Sequence, residues 1–250
     1  FAAIDIGSYD VILEIFEISK KQGIRSVDKI CHRMELGKDT YTLGKIRPEM
    51  EEELCRVLAD FVRIMEGYRV DDYRATASSA ISEASNSLYV LGKIHQLTGL
   101  SVTVLSNSEQ RFLSYKALAA MEDNFNKIIE KGTAILDLDG GSFQISLFDK
   151  DALVTTQNIR MGSLRIRERL AGIQSETEHY EEMVEELIWN EVSSFKKMYL
   201  KDRKIENIML IGDVFTDSVY QNIEEKTTKI ISRENFNTCL LYTSDAADEL

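Results

Sequence analysis

The sequence predicts an α/β protein built from two similar halves, and three observations carry that prediction. Short apolar runs rich in β-branched residues alternate with longer amphipathic runs at helical spacing. After a polar stretch at 122–131 the pattern begins again. Each half also ends its first strand on an aspartate before a Gly/Ser turn. These segments are Ile4-Asp5-Ile6-Gly7-Ser8 and Leu136-Asp137-Leu138-Asp139-Gly140-Gly141-Ser142, with the aspartates 132 positions apart. Two α/β halves facing each other across a cleft would explain the repeat.

The elements follow in order. Residues 2–6 and 11–18 read as a hairpin, and a third strand is expected over 24–36. The clearest helix covers 47–66. Pro48 lies near its first position, Glu49 and residues 51–53 load the positive end of its dipole, and Gly67 follows its last turn. Met50, Leu54, Leu58, Phe61 and Met65 make its apolar face. Then come a strand at 72–77, a helix at 79–97, a strand at 102–105 and a helix from 108 to 121. The second half reads as strands at 133–138, 143–148 and 152–159, helices at 162–170 and 179–199, and a buried strand at 208–211.

With 250 residues there is room for one large domain or two ordinary ones. Hydrophobic residues at 44% and charged residues at 29% are globular composition. Lys and Arg number 30 against 42 Asp and Glu, a net charge of −12 that disfavours nucleic acid and anionic membranes as partners. No apolar run approaches the roughly 18 residues of a membrane span. Cys31, Cys55 and Cys239 have neither disulfide-scaffold nor zinc-site spacing, and no signal peptide is visible, so a cytoplasmic location is expected. The chain opens without Met, inside a strand, so a few leading residues are expected to be missing. Residues 239–249, Cys-Leu-Leu-Tyr-Thr-Ser-Asp-Ala-Ala-Asp-Glu, read as the translation of a transposase-type sequencing adapter. Native sequence is therefore expected to end near Thr238, with the second half truncated.

A Gly/Ser turn between strands exposes backbone N–H groups with no side chain in the way, and such a concavity binds phosphate oxygens. A strand-end carboxylate can hold the Mg²⁺ that accompanies phosphate. From spacing alone the plainer alternative stays open, that these are hairpin turns whose Asp caps a backbone amide.

Further segments fall into a pattern with these turns. In order they are Ala-Ala-Ile-Asp-Ile-Gly-Ser (2–8), Leu-Gly-Lys-Asp with Gly-Lys-Ile (36–46), and Ala-Ser-Ser-Ala-Ile-Ser-Glu-Ala (77–84). Thr-Gly-Leu-Ser-Val-Thr-Val-Leu-Ser (98–106), Asp-Leu-Asp-Gly-Gly-Ser (137–142) and Met-Gly-Ser-Leu-Arg (161–165) complete the set. With this order and spacing the chain resembles the N-terminal part of the exopolyphosphatase / guanosine pentaphosphate phosphohydrolase family. That family lies within the superfamily of actin, sugar kinases and heat-shock ATPases. The resemblance implies two actin-like (ribonuclease H-like) halves with the active site in the cleft between them, and Mg²⁺-dependent hydrolysis of terminal phosphoanhydride bonds. It implies polyphosphate or a guanosine polyphosphate as partner, with a homodimer left open. It assigns Asp5, Gly7, Ser8, Gly140, Gly141 and Ser142 to phosphate and Asp137 to the metal. A glutamate at the start of the helix joining the halves would serve as general base toward water.

The departures fall on the chemistry. Where the family reads Ser-Gly-x-Glu-Glu-Ala-Arg, this chain has Ser106-Asn107-Ser108-Glu109-Gln110-Arg111-Phe112, so the base position holds Gln110. A carboxamide orients water but takes no proton at neutral pH. Glu109 points about 100° away on a helix and reads either as a shifted base or as a first-turn Glu favouring the dipole. Asp139 replaces a glycine of the second turn, Phe143 a threonine and Gln144 a glutamate expected near the metal. Tyr9-Asp10 stands for Asn/Thr-Ser, Ser82 for an arginine, and 213–216 for a Gly-Gly-Thr-like turn. His32, His95 and His179 lack ligand spacing, Cys55 reads as packing, Trp189 as core, and the glutamates of 181–186 as a solvated face. The halves are expected at 1–113 and 114–238. Two functions follow: a phosphoanhydride hydrolase with Glu109 or Gln110 addressing water, or a degenerate member binding a nucleotide or other ligand as a regulator.

Overall fold

A computed structural model describes residues 1–21, 23–121, 124–172, 179–201, 203–212 and 229–230. The chain divides into two compact units, Phe1–Gln110 and Arg111–Leu250. In the first, β1 (Ala2–Ile6), β2 (Asp10–Ser19), β3 (Gly23–Arg33), β4 (Tyr73–Ala77) and β5 (Val102–Val104) form one sheet in the order β3-β2-β1-β4-β5. β1 is antiparallel to β2 and parallel to β4, and β4 is parallel to β5. In the second, β6 (Thr133–Leu138), β7 (Phe143–Asp149), β8 (Ala152–Ile159), β9 (Asn207–Ile211) and β10 (Lys229–Ile230) form a sheet ordered β10-β9-β6-β7-β8. β6 is antiparallel to β7 and parallel to β9. Counted within its unit, each sheet runs third, second, first, fourth, fifth. The fifth strands differ in sense, since β10 runs antiparallel to β9.

Strand composition explains how each sheet is covered. β1 alternates, burying Ala2, Ile4 and Ile6 while Asp5 is exposed. Its buried face packs with Leu54, Leu58 and Phe61 of α2 (Pro48–Tyr68) and Val90 and Ile94 of α4 (Ser87–Thr98). β6 is buried along its whole length. One of its faces packs with Phe195 of α8 (Tyr180–Tyr199) and the other with Leu118 of α5 (Asn107–Met121) and Phe125 and Ile129 of α6 (Phe125–Ile129).

Four elements differ from the sequence reading. The third strand stops at Arg33 because the N–H groups of Met34 and Glu35 turn to the Tyr9 carbonyl at 3.0 and 2.9 Å. The chain then enters α1 (Leu36–Leu43), which Gly44 closes at a φ of 70° with its N–H on Thr40 O. The helix expected over 79–97 is two, α3 (Ser79–Ser82) and α4. In the break, the Asn86 carboxamide accepts from Ile46 N at 3.0 Å and donates to Ile46 O at 2.9 Å. The polar stretch at 122–131 contains α6, whose Phe125 meets Phe148 edge-on. Trp189 is 59% exposed rather than core, with the Lys196 ammonium over its ring. α8 buries Phe195 instead, and a residue six positions earlier lies about 240° around the helix from it. The expected Gly-Gly-Thr-like position at 213–216, and the tail from Cys239, lie outside the described residues.

Candidate functional site: two phosphate-type turns

The two units build the same turn. In the first, Asp5 pairs with Ile12 and Ile6 with Val11; in the second, Asp137 pairs with Gln144 and Leu138 with Phe143. Each register leaves four residues to turn the chain, Gly7-Ser8-Tyr9-Asp10 and Asp139-Gly140-Gly141-Ser142. In each the first N–H returns to the fourth carbonyl, at 2.9 Å and 3.0 Å. The offset of 132 holds for every pair, so Asp139 occupies the place of Gly7 and Gly140 that of Ser8.

The helix after the third strand takes up part of each turn's carbonyls. Gly37 N in α1 donates to Ser8 O at 2.9 Å. Ser163 N and Arg165 N, in the first turn of α7 (Ser163–Leu170), donate to Asp139 O and Gly140 O at 3.2 and 3.0 Å. Among the described residues, no acceptor takes the N–H of Ser8, Gly140 or Gly141. A turn whose acceptors are occupied and whose donors are left is suited to an anion.

Side chains finish the first turn. Ser8 is buried at 5% exposure, and its hydroxyl lies 2.7 Å from Tyr41 Oη, which lies 2.8 Å from Ser79 Oγ. Tyr41 projects from α1, which is pinned from two sides. Buried Asp39 accepts from Arg47 N and Nε, both at 2.9 Å, and Thr40 Oγ1 donates to Ala80 O at 2.6 Å. Asp5 accepts from Thr76 Oγ1 at 3.3 Å, and Arg33 lies 4.6 Å from the centre of the Tyr9 ring. Ser82, at the end of α3, is exposed.

Close backbone approach finishes the second. A Cβ on Gly162 would lie 2.3 Å from Asp139 O and 2.4 Å from Gly140 O, so only glycine lets α7 start there. Gly212, at a φ of 116°, passes β6 so closely that a Cβ would meet Leu138 O at 2.2 Å. Arg165 Nε donates to Gly141 O at 2.9 Å. Across the neighbouring sheet face runs a polar row. Asp137, 8% exposed, accepts from Ser114 Oγ of α5 at 3.3 Å. Opposite it on β7 is buried Gln144, and opposite that on β8 is Asn158, whose Nδ2 donates to Ser142 Oγ at 3.3 Å. One row further from the turn, Arg111 Nη1 donates to Thr156 Oγ1 at 2.6 Å. Ser146 Oγ lies 3.2 Å from Thr156 Oγ1 and accepts from Tyr115 Oη at 2.6 Å.

The two candidates for addressing water stand at the start of α5. Glu109 is folded back on Ser106, its carboxylate accepting from Ser106 Oγ at 2.7 Å and Ser106 N at 2.9 Å, while Glu109 N donates to Ser106 Oγ at 3.3 Å. This is a capping box. The Ser106 hydroxyl, then its backbone N–H, hold the Glu109 carboxyl below the usual carboxylate range. Gln110 is half-buried and carries a helical N–H bond to Ser106 O at 2.9 Å. The predicted residues thus fall in two sets, Asp5, Gly7 and Ser8 around one turn and Asp137, Gly140, Gly141 and Ser142 around the other.

The described residues contain no group of three or more His, Cys, Asp or Glu able to hold a metal. The oxygens of Asp137 and Gln144 suit an ion that keeps most of its waters and takes its remaining ligands from phosphate, which is the habit of Mg²⁺. Sequence reasoning passed over Tyr41, Ser79, Arg111, Ser114, Thr156 and Asn158. Two signals were available. Ser106-x-x-Glu109 is the capping-box spacing, and Gln144/Ser146 with Thr156/Asn158 alternate with period two, marking a polar sheet face.

Comparison with known proteins agrees with this architecture. A crystal structure of the Aquifex aeolicus member of the Ppx/GppA family has a TM-score of 0.66 and 22% identity, covering 90% of this chain and 71% of that one. An exopolyphosphatase from Cytophaga hutchinsonii has a TM-score of 0.69 and 21% identity, covering 86% and 67%. At such identity the likeness is one of fold, and the fold is the actin-like ATPase fold. By sequence, the bifunctional 3-dehydroquinate synthase/phosphatase of Fusobacterium nucleatum is 21% identical over the whole of this chain, which spans 38% of its length. Exopolyphosphatase 1 of Mycobacterium leprae is 25% identical over 57% of this chain and 41% of its own. The chain therefore spans about two fifths of these curated relatives. The sequence pattern of the Ppx/GppA phosphatase family matches residues 14–249, nearly the whole chain, and the chain belongs to that family.

Proposed function

We propose that the chain is an exopolyphosphatase-type phosphohydrolase that removes the terminal phosphate of polyphosphate or guanosine pentaphosphate by attack of water on a phosphoanhydride. The observation that carries this reading is the pair of matched turns in which the carbonyls of Ser8, Tyr9, Asp10, Asp139, Gly140 and Ser142 are occupied, while the N–H groups of Ser8, Gly140 and Gly141 find no acceptor among the described residues. Those groups bind phosphoryl oxygens, with the Ser8 and Ser142 hydroxyls beside them. Asp137 is the residue that would hold Mg²⁺, which when bound supplies neutralising charge to the phosphates. Gln110 orients the attacking water through its carboxamide and leaves the proton to solvent or to the phosphate itself.

A second reading has its own observation. With Glu109 held by Ser106 and an amide at position 110, the start of α5 has no carboxylate directed away from its own cap. A protein of this kind binds a polyphosphate-bearing ligand and regulates through it. The test is phosphate release from long-chain polyphosphate and from guanosine pentaphosphate with Mg²⁺, beside calorimetric binding of tripolyphosphate. The hydrolase reading expects slow release that Gln110→Glu accelerates by about 10²–10⁴. Binding without release in the wild type, with release appearing in Gln110→Glu, decides for the regulator. Release abolished by Glu109→Gln means that Glu109 leaves Ser106 to act as base. Neither binding nor release overturns both readings.

A further inference from the structure

We propose that Tyr41 is a positioning residue that sets the direction of the Ser8 hydroxyl bond in the first turn, a proposal that rests on the phosphate-binding reading of that turn. The chain Ser8 Oγ–Tyr41 Oη–Ser79 Oγ has links of 2.7 and 2.8 Å. Three hydroxyls carry three protons, and the two links use two of them. With Ser8 donating to Tyr41, whether Tyr41 passes its own proton to Ser79 or Ser79 also donates to Tyr41, the Ser8 proton is drawn inward and lone pairs turn toward the ligand. Running from Ser79 to Tyr41 to Ser8, the chain supplies the Ser8 oxygen with an inward donor and frees the Ser8 proton for a phosphate oxygen. Only the second direction suits an anion.

Two features make Tyr41 the part that governs this. A phenol is a stronger donor than an aliphatic hydroxyl, and donation into Ser8 strengthens the proton Ser8 offers in turn. The phenol is also held in place, because α1 is fastened by Gly37 N on Ser8 O, Asp39 on Arg47 and Thr40 on Ala80. Ser8 is buried, so solvent has little room to substitute for the phenol. The result is a directional relay from the N-terminus of α3 to the turn. The second turn has glycine at the position of Ser8 and no counterpart of the relay.

The experiment measures tripolyphosphate affinity by calorimetry for wild type, Ser8→Ala, Tyr41→Phe, Ser79→Ala and the double variant Ser8→Ala/Tyr41→Phe, with the melting temperature of each. Ser8→Ala and Tyr41→Phe are each expected to weaken binding about five- to tenfold, and Ser79→Ala by less. The double variant is expected to bind no more weakly than Ser8→Ala alone, because both changes remove one donor. A structural role for Tyr41 would instead lower the melting temperature and add its effect to that of Ser8→Ala. Full additivity, wild-type affinity in Tyr41→Phe, or wild-type affinity in Ser8→Ala overturns the proposal while leaving phosphate binding in place. Wild-type protein that does not bind tripolyphosphate overturns the phosphate reading itself. Should Tyr41→Phe fail to fold, Ser79→Ala reaches the same relay without touching the ring, and unchanged affinity there overturns the proposal.

Discussion

The first turn is completed by side chains and the second by backbone. Around Gly7-Ser8-Tyr9-Asp10, a buried serine is tied through Tyr41 to Ser79, and the strand-end Asp5 is exposed beside Thr76. Around Asp139-Gly140-Gly141-Ser142, α7 comes close enough to exclude any Cβ at Gly162, and the strand-end Asp137 is buried under Ser114. Yet register, turn length and closing hydrogen bond agree. Hairpin register and the docking of the next helix fix the turn, and the identity of the four residues matters less. That is why Asp139 can stand where the other turn has glycine. A Cβ at Gly7 would sit 3.0 Å from Asp10 O, tight but open to small adjustment.

The contrast can be broken most sharply at the glycines. Gly162→Ala places a methyl against the backbone of Asp139 and Gly140 and is expected to cost about 1–3 kcal/mol in urea unfolding. Gly7→Ala is expected to cost roughly 0.5 kcal/mol, near the small end of single-residue effects. Equal losses would mean that the two turns are supported alike. Next in size, Ser106→Ala removes the capping box of α5 and is expected to lower stability by about 1 kcal/mol. An NMR titration of Glu109 gives the matching sign. Its carboxyl is depressed in the folded state, so its stabilisation is complete above the unfolded glutamate value and disappears as pH falls through the lower folded value. In Ser106→Ala the titration should move up toward the ordinary glutamate range, with the backbone N–H of residue 106 still holding it partly down. The last change acts on affinity and sharpens the comparison rather than breaking it. Asp139→Gly makes the second turn match the first at its opening position and removes a carboxylate from an anion site. Tripolyphosphate should bind severalfold more tightly, by about 1 kcal/mol, with melting temperature little changed.

Much of this organisation was legible in the chain. Alternation and the repeated Asp-turn pattern identified two α/β halves, and Pro48 with its following glutamates marked the start of α2. What escaped depends on contacts distant in sequence. α1 begins where Tyr9, 25 residues before Met34, offers a carbonyl that ends β3, and the break between α3 and α4 exists because Asn86 bonds Ile46. In the site, the aspartates and glycines were visible because a turn displays them locally. Tyr41, Ser79 and Arg111 were not, since each acts through a partner brought near only by the sheet. Glu109 shows both sides: its bonds to Ser106 follow from the Ser106-x-x-Glu109 spacing, while any part in water attack depends on groups distant in sequence.

The occupied carbonyls of the two turns have one more consequence. Amides of α1 at Ser8 O, and of α7 at Asp139 O and Gly140 O, orient those peptide planes with no ligand needed. Water can serve the outward donors in the meantime, and under the proposed function a phosphate would trade its hydration for dipoles already set within each turn. Should the turns bind phosphate as proposed, long-range repulsion from a chain of net charge −12 opposes the approach of that anion. Added salt should therefore speed the arrival of a free polyanion instead of slowing it.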